Sequence, residues 1–570
     1  MIDTIIHNNK HSALKIAILH IILSFFWQKH FFPEIPQVID ILSVDFDRSL
    51  FILFSHILSI LIIISSWQFL FYIFSKNVNQ EFRKFFFLFF IPFLFVATLV
   101  YPSMYGWAGD CLYIYQQSLA GIPYYWHNYF TSTIYLATYL SFVHPISLPI
   151  LQSCIGSIIA AYTTTQLYSL TSKKILRFFI IAMFFIEDSF IIFLEPYRNC
   201  FYTLLSLVFF AVLFFPYIKN DVLSWKSVFI LSILAGILVF WRSEGILYAV
   251  LLPLIVLSMY RFRSLKKMIT ILLIMMLIFF TLSVPQNLGS KKHHGLGYVI
   301  INMVSWLSDI VKYENFNYEY VGYTEDLRRI NSVIDMSYIR MLYGPSAFSR
   351  YTALHGGLNH LHSTIQEQKG FISATYNIVA HNKMNFIKGR IKTFLIAMGT
   401  LQLIKKATEI FGQYDKLRTK LRSATGIKPH ISDKERPYDI QHALDEYFFE
   451  ILPKAREKLD QTILWKAALR DKILQLTYVP RRYYHLSSLL LAICVRMFLV
   501  PFQFFMLFLT FKQRRLPYFM CFFTNIIMLC VIIIFAPDTY VAYYYPHFYV
   551  ASLLTLIYFT DKNRQERVVG

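Results

Sequence analysis

The sequence predicts an all-α polytopic membrane protein of about twelve transmembrane helices, eleven if a short first run does not cross. A mainly helical extracytoplasmic domain is expected between spans nine and ten. Three observations predict this class. Of 570 residues, 56% are hydrophobic, 18% aromatic and only 15% charged, and the mean hydropathy is +0.49. Soluble globular chains carry about 25% charged residues, so this chain has too little charge to coat a soluble surface. The apolar stretches are continuous runs of about 20 residues, the helix length that crosses a bilayer core, and they lack strand alternation. Between them Lys and Arg gather in short clusters, the bias that marks cytoplasmic loops. Composition of this kind excludes a disordered chain, a collagen-like chain and a disulfide scaffold.

In chain order, the run at 13–27 follows Lys10 and reads as an uncleaved first span with its N-terminus inside, because no small-residue cleavage site follows it. Further spans are expected at about 50–75, 85–104, 147–168, 176–195, 197–217, 227–240, 244–260, 268–284, 485–511, 516–536 and 541–560. Alternating them puts six basic clusters on one side, the cytoplasm: Lys76/Arg83/Lys84, Lys173/Lys174/Arg177, Lys219/Lys226, Arg261/Arg263/Lys266/Lys267, Lys512/Arg514/Arg515 and Lys562/Arg564/Arg567. Both termini are then cytoplasmic. The formal net charge of +21 thus belongs largely to loops; a nucleic-acid groove would gather such charge on one face, and no nucleic-acid partner is expected.

Three regions follow. Residues 1–284 carry spans one to nine, with an outer loop at about 105–146. Residues 285–484 are polar, with 29 Lys and Arg against 18 Asp and Glu, and form the extracytoplasmic domain. Its sequence reads as helical around 376–423 and 438–478, with Pro437 and Pro480 as boundaries. Within it Thr393–Ile404 is apolar but too short to span, which suggests a helix lying on the outer leaflet. Residues 485–570 carry the last three spans and a cytoplasmic C-terminus. The six cysteines, at 111, 154, 200, 494, 521 and 530, lie in or beside apolar runs without metal-ligand spacing and read as small buried hydrophobes.

The chemistry concentrates at the outer face. From Phe85 to Ser172 the only charged residue is Asp110, followed by a loop of hydrogen-bonding aromatics and amides that includes Tyr125, Trp126, His127 and Asn128. A lone carboxylate in such surroundings has a raised pKa and suits general-base work; the alternative is a cap on a helix starting near Cys111. Glu187 and Asp188 interrupt the span 176–195, where carboxylates are costly and mark function. Asp188 and Glu195 are seven residues apart, so they share a helix face about 10 Å apart along the axis. Glu195-Pro-Tyr-Arg198 and Trp241-Arg242-Ser-Glu244-Gly245 form outer turns, whose alternative reading is local ion pairing. Lys291-Lys-His-His294 and the pair Arg481 and Arg482 sit near span ends, where they bind a lipid phosphate or anchor to head groups. Tyr543-Tyr-Tyr-Pro-His547 reads as part of an interfacial aromatic belt. His355, His360 and His362 match no metal spacing and read as a polar loop. No Walker motif, dinucleotide fingerprint or Ser/His/Asp pattern occurs, so nothing suggests ATP, NAD or acyl transfer.

The order of an inner basic loop, a span, an outer loop opening with Pro102, Trp107 and Asp110, an aromatic stretch and a His144-Pro145 turn resembles the GT-C superfamily of integral-membrane glycosyltransferases. The likeness is strongest to bacterial members that use polyprenyl-phosphate sugars. The Trp-Arg-x-Glu-Gly turn at 241–245 and the Tyr-Tyr-Tyr-Pro-His ending are similar to motifs of the same group. Here the acidic residue follows the third span, so extra helices precede the pattern. The resemblance covers about 80–285 and 485–560 and leaves the outer domain unmatched. It implies transfer of a sugar from a polyprenyl-phosphate donor to a glycan, lipid or protein acceptor at the outer face of the bacterial cytoplasmic membrane. Asp110 would be the general base, and Arg242 and Arg198, backed by Arg481 and Arg482, would stabilise the departing phosphate. Tyr125, Trp126 and His127 would contact sugar. Glu187 and Asp188 would position it or hold a divalent metal, the one cofactor left open, and Glu244 would join the substrate-binding residues. Two rival readings stand beside this one. An envelope polysaccharide polymerase or ligase would work through the late outer loop, and a lipid-linked oligosaccharide flippase or transporter would show the internal repeats that this chain lacks.

Overall fold

The structure, a computed structural model, describes residues 9–31, 46–100, 110–125, 128–142, 144, 146–185, 192–194, 198–260, 265–294, 296–311, 319–334, 336, 339, 363–398, 486–536 and 543–569. Among these residues every regular element is a helix, as the composition demands. In the first half they are α1 (Asn9–Phe31), α2 (Phe46–Ile73), α3 (Gln80–Val100), α4 (Asp110–Leu119), α5 (Tyr129–Phe142), α6 (Ser147–Leu170), α7 (Lys174–Ala182), α8 (Arg198–Ile218), α9 (Trp225–Trp241), α10 (Ile246–Tyr260) and α11 (Leu265–His294). The second half holds α12 (Gly297–Val311), α13 (Tyr323–Asn331), α14 (Ile365–His381), α15 (Lys383–Ala397), α16 (Leu486–Lys512), α17 (Leu516–Phe535) and α18 (Tyr545–Val569).

By length and composition, stretches of α2, α3, α8, α11 and α17 can each cross a membrane, and α5 with α6 would make a sixth span, bent by 102°. Helices α9 and α10 and the described apolar parts of α1 and α16 are shorter. The exposed surface fits that reading. On α11, Leu273 is 67% and Leu277 66% exposed, part of an apolar stripe too extensive for a surface in water. Between helices in lipid, close packing and hydrogen bonds hold the bundle, because apolar burial there gains no transfer energy from water. Phenylalanines supply the packing: the Phe93 and Phe193 ring centroids are 4.3 Å apart, and Phe89 meets Phe184 at 5.4 Å.

Three sequence expectations are revised, and the stretch 105–146 gains detail. Its described residues include the helices α4 and α5, and α5 packs against α2 with most of its surface buried. Its Thr and Ser hydroxyls make that burial tolerable by bonding back along the helix. Thr138 donates to Ile134 O at 2.7 Å and Ser141 to Ala137 O at 2.7 Å. The span expected at 176–195 breaks, since α7 stops at Ala182 and residues 183–185 form turns. Helix α11 runs through Pro285 to His294, well past the apolar run. Finally, Thr393–Ile404 does not lie wholly on a surface. Its described part is the end of α15, where Phe394, Ala397 and Met398 join the main core and Phe394 meets Tyr544 at 5.2 Å.

The two ends of the bundle differ. At one end Lys267 donates to Leu223 O (2.6 Å), Arg515 pairs with Asp561 (3.2 Å), and Asn563 donates to Thr171 (3.0 Å). Arg177 lies over Tyr168, whose ring meets Phe85 beside Arg83 and Lys84. Members of the basic clusters lie at or next to these contacts. Beyond the opposite end, α12, α13 and α14 enclose a separate small core of Ile300, Leu307, Ile330, Phe371 and Ile378. Glu367 caps α14 reciprocally with Thr364. This outer unit is fastened to the end of α17, whose last carbonyls need donors. Trp306 Nε1 donates to Ile534 O (3.0 Å), and Arg390, ion-paired with buried Asp309, donates to Ala536 O (2.6 Å).

Candidate active site

Where α8, α9, α11, α12 and α17 converge, a cavity of about 500 Å³ opens between the bundle and the outer unit. Its floor begins with the chain leaving α9. Arg242 is extended, residues 243–245 form a single tight 3-10 turn, and Gly245 N donates to Arg242 O at 2.9 Å. Only glycine fits at 245, because a Cβ there would stand 2.1 Å from Leu238 O. The turn folds Arg242 back into the protein, leaving its residue 9% exposed and Glu244 4%.

The guanidinium is held on several sides. Nε pairs with Glu244, Nη1 donates to Asn199 Oδ1, and the rings of Tyr202 and Tyr543 lie 5.5 and 5.8 Å from Cζ. Asn199 and Tyr202 come from the first turns of α8, which Arg198 opens, and Arg198 itself lines the cavity, half-buried. Beside this cation Asn199 Nδ2, Tyr202 Oη and Trp241 Nε1 are buried with no hydrogen-bond partner among the described residues, as is His547 Nε2. The first three can donate. Buried donors left unpaired are costly, so their grouping beside two arginines makes a setting suited to an anion's oxygens.

A second wall is the loop after α4. Tyr125 is 5% exposed, and its ring lies directly on Gly289, where a Cβ would come within 2.1 Å of the ring. One turn earlier on α11, Gln286 clasps the same loop with both ends of its amide. Its Nε2 donates to Tyr125 O at 2.6 Å, and its Oε1 accepts from Tyr129 N at 2.9 Å. Asn128, at φ 92°, takes the left-handed conformation that Asn tolerates and donates from Nδ2 to Phe240 O at 3.3 Å.

Of the residues singled out from sequence, the structure therefore brings Tyr125, Arg198, Arg242 and Glu244 to one cavity. The ion-pair alternative for Arg242 and Glu244 is realised in its geometry. Asp110 opens α4 on the chain that leads into the Tyr125 loop, so its backbone also suits the helix-start alternative. The side chain of Asp110, and Trp126, His127, Glu187, Asp188, Glu195, Arg481 and Arg482 entirely, lie outside the described residues, as do His355, His360 and His362. The aromatic-belt expectation for Tyr543–Tyr545 is corrected. Tyr544 and Tyr545 are 1% and 0% exposed, packed into the core, while Tyr543 faces Arg242. Among the described residues no group of three His, Cys, Asp or Glu side chains gathers to hold a metal.

Sequence reasoning missed Asn199, which bonds Arg242, and Gln286 and the outer unit's Asn302, Trp306 and Tyr376, which line the cavity. Asn199 was legible as the neighbour of Arg198; the others are common residues whose convergence depends on tertiary packing. No family model matches this chain, no curated protein matches it, and no solved structure matches it.

Proposed function

We infer that the chain is a membrane glycosyltransferase that moves a sugar from a polyprenyl-phosphate donor to an acceptor at the outer face of a bacterial cytoplasmic membrane, through the twelve-span topology expected above. The observation that carries this reading is the cavity's floor. Arg242 and Arg198 stand there with Trp241, whose buried Nε1 has no partner among the described residues, beside an apolar strip of Val531, Ile532 and Phe535 at the end of α17, and the unpaired donors of Asn199 and Tyr202 flank Arg242 on α8. A phosphate joined to a long apolar chain matches both surfaces at once. In the reaction Asp110 takes the proton of the acceptor hydroxyl, whose oxygen attacks the anomeric carbon. The bond from that carbon to the phosphate oxygen breaks, and its electron pair leaves on the phosphate as polyprenyl phosphate. The arginines stabilise that developing charge, and removing one comparable donor costs about 10²–10³ in rate.

The test is the glycan and lipid profile of a strain lacking the gene. Loss of one sugar from surface glycans, with its lipid-linked donor accumulating, is the expected result, and the missing mass identifies the sugar. Restoration by the wild type but not by Arg198→Ala, at matched membrane levels, ties the loss to the cavity. An unchanged profile on deletion overturns the reading.

A further inference from the structure

The cavity has a wall of different chemistry facing the arginines. It comes from the extension of α11 and from the outer unit: Asn287 and Ser290 lie three residues apart on one helix face, Asn302 is on α12 with Trp306, and Tyr376 is on α14. No charged side chain lines this wall among the described residues. Its aromatic part is rigid at the back and open at the front. Trp306 is 4% exposed, fixed by its bond to Ile534 O and wedged against Phe535 (5.3 Å) and Phe386 (5.5 Å). Tyr376 meets Trp306 edge-on at 5.8 Å and 69°, yet remains 52% exposed.

Neutral amides and a hydroxyl beside a held aromatic face suit a ligand with many hydroxyls and apolar C–H faces, which is a saccharide. A lipid tail would leave the amides unpaired, and a charged peptide would find no countercharge on this wall. The volume of about 500 Å³ admits a short saccharide end, within the usual range for small-ligand pockets, and excludes a folded protein surface. We propose that this wall is an acceptor subsite for the end of a glycan chain, with Asn302 and Tyr376 as its specificity-determining residues. The inference rests on the transferase reading: it makes the acceptor a glycan and gives the outer unit the task of presenting it to the donor bound at the arginines.

The experiment uses the full chain in lipid nanodiscs and the gene-deleted strain in parallel. Asn302→Ala, Tyr376→Ala and Tyr376→Phe are each scored for recovery of the surface-glycan sugar and for binding of farnesyl phosphate, a soluble stand-in for the donor's phosphate and first isoprenes. Asn302→Ala and Tyr376→Ala are expected to lower recovery at least tenfold, with Tyr376→Phe between Ala and wild type because it keeps the ring. Farnesyl phosphate affinity should stay within twofold in all three, while Arg198→Ala loses it. Full recovery by both alanine variants overturns the subsite. Loss of farnesyl phosphate binding in them assigns the wall to the donor instead. A sugar missing from a protein or a lipid, rather than from a glycan, overturns the acceptor class. A deletion strain with no glycan or lipid phenotype removes the transferase reading itself and this inference with it.

Discussion

Arg242 and Glu244 carry opposite charges into a space with almost no solvent contact, and each depends on the other. A buried ion pair is weak as a source of net stability, but breaking it leaves an uncompensated charge, typically at a cost of about 3–5 kcal/mol. Glu244→Gln and Arg242→Met should each lower stability by an amount in that range, measured by thermal unfolding in detergent. The double replacement should cost clearly less than the two single effects combined. Additive losses would mean that the side chains act independently. The resemblance to a Trp-Arg-x-Glu-Gly motif marked this pair from sequence because four different residue types fall within one tight turn. Of the donors around it, Asn199 was legible only as the neighbour of Arg198 and Trp241 only as part of the motif, because their grouping with Tyr202 depends on α8 and α9 being brought side by side.

Helix α11 couples the parts of the site. It packs along α9 within the bundle, clasps the Tyr125 loop through Gln286 and Gly289, and leads directly into the outer unit at α12. The hydropathy profile placed the end of this helix near 284, because apolar character stops there while the helix does not. Pro285 reads from sequence as a boundary, although a helix can carry an internal proline when neighbouring groups accommodate it. For the same reason the short, Ser- and Thr-rich α5 was legible as an outer loop and not as a buried helix. Gly289→Ala should push the Tyr125 ring away and loosen residues 120–128. Faster amide exchange confined to that loop, with the exchange of α9 and α10 unchanged, is the expected result. An unaltered loop would show that the glycine is dispensable.

At the scale of the whole molecule, the all-helical class was legible because composition and run length are averages over many residues. Span number was less legible, since breaks such as those after Ala182 and between α5 and α6 are set by tertiary packing. Cysteine accessibility tests the orientation in a background lacking the six native cysteines. Lys219→Cys should react with an impermeant maleimide only when the cytoplasmic face is opened, and Ser363→Cys should react in intact spheroplasts. Reversed labelling would invert the topology and place the cavity on the wrong side for the proposed chemistry.

At every scale the proposed chemistry rests on one step, in which Asp110 activates an acceptor for a donor held at the arginines. The most direct measurement is rescue of the gene-deleted strain by Asp110→Asn, expressed in the membrane at the wild-type level and scored by mass spectrometry of surface and lipid-linked glycans. The isosteric amide is expected to bind the donor but fail to restore the sugar, so that the donor lipid accumulates. Full restoration by Asp110→Asn would show that Asp110 is not the base.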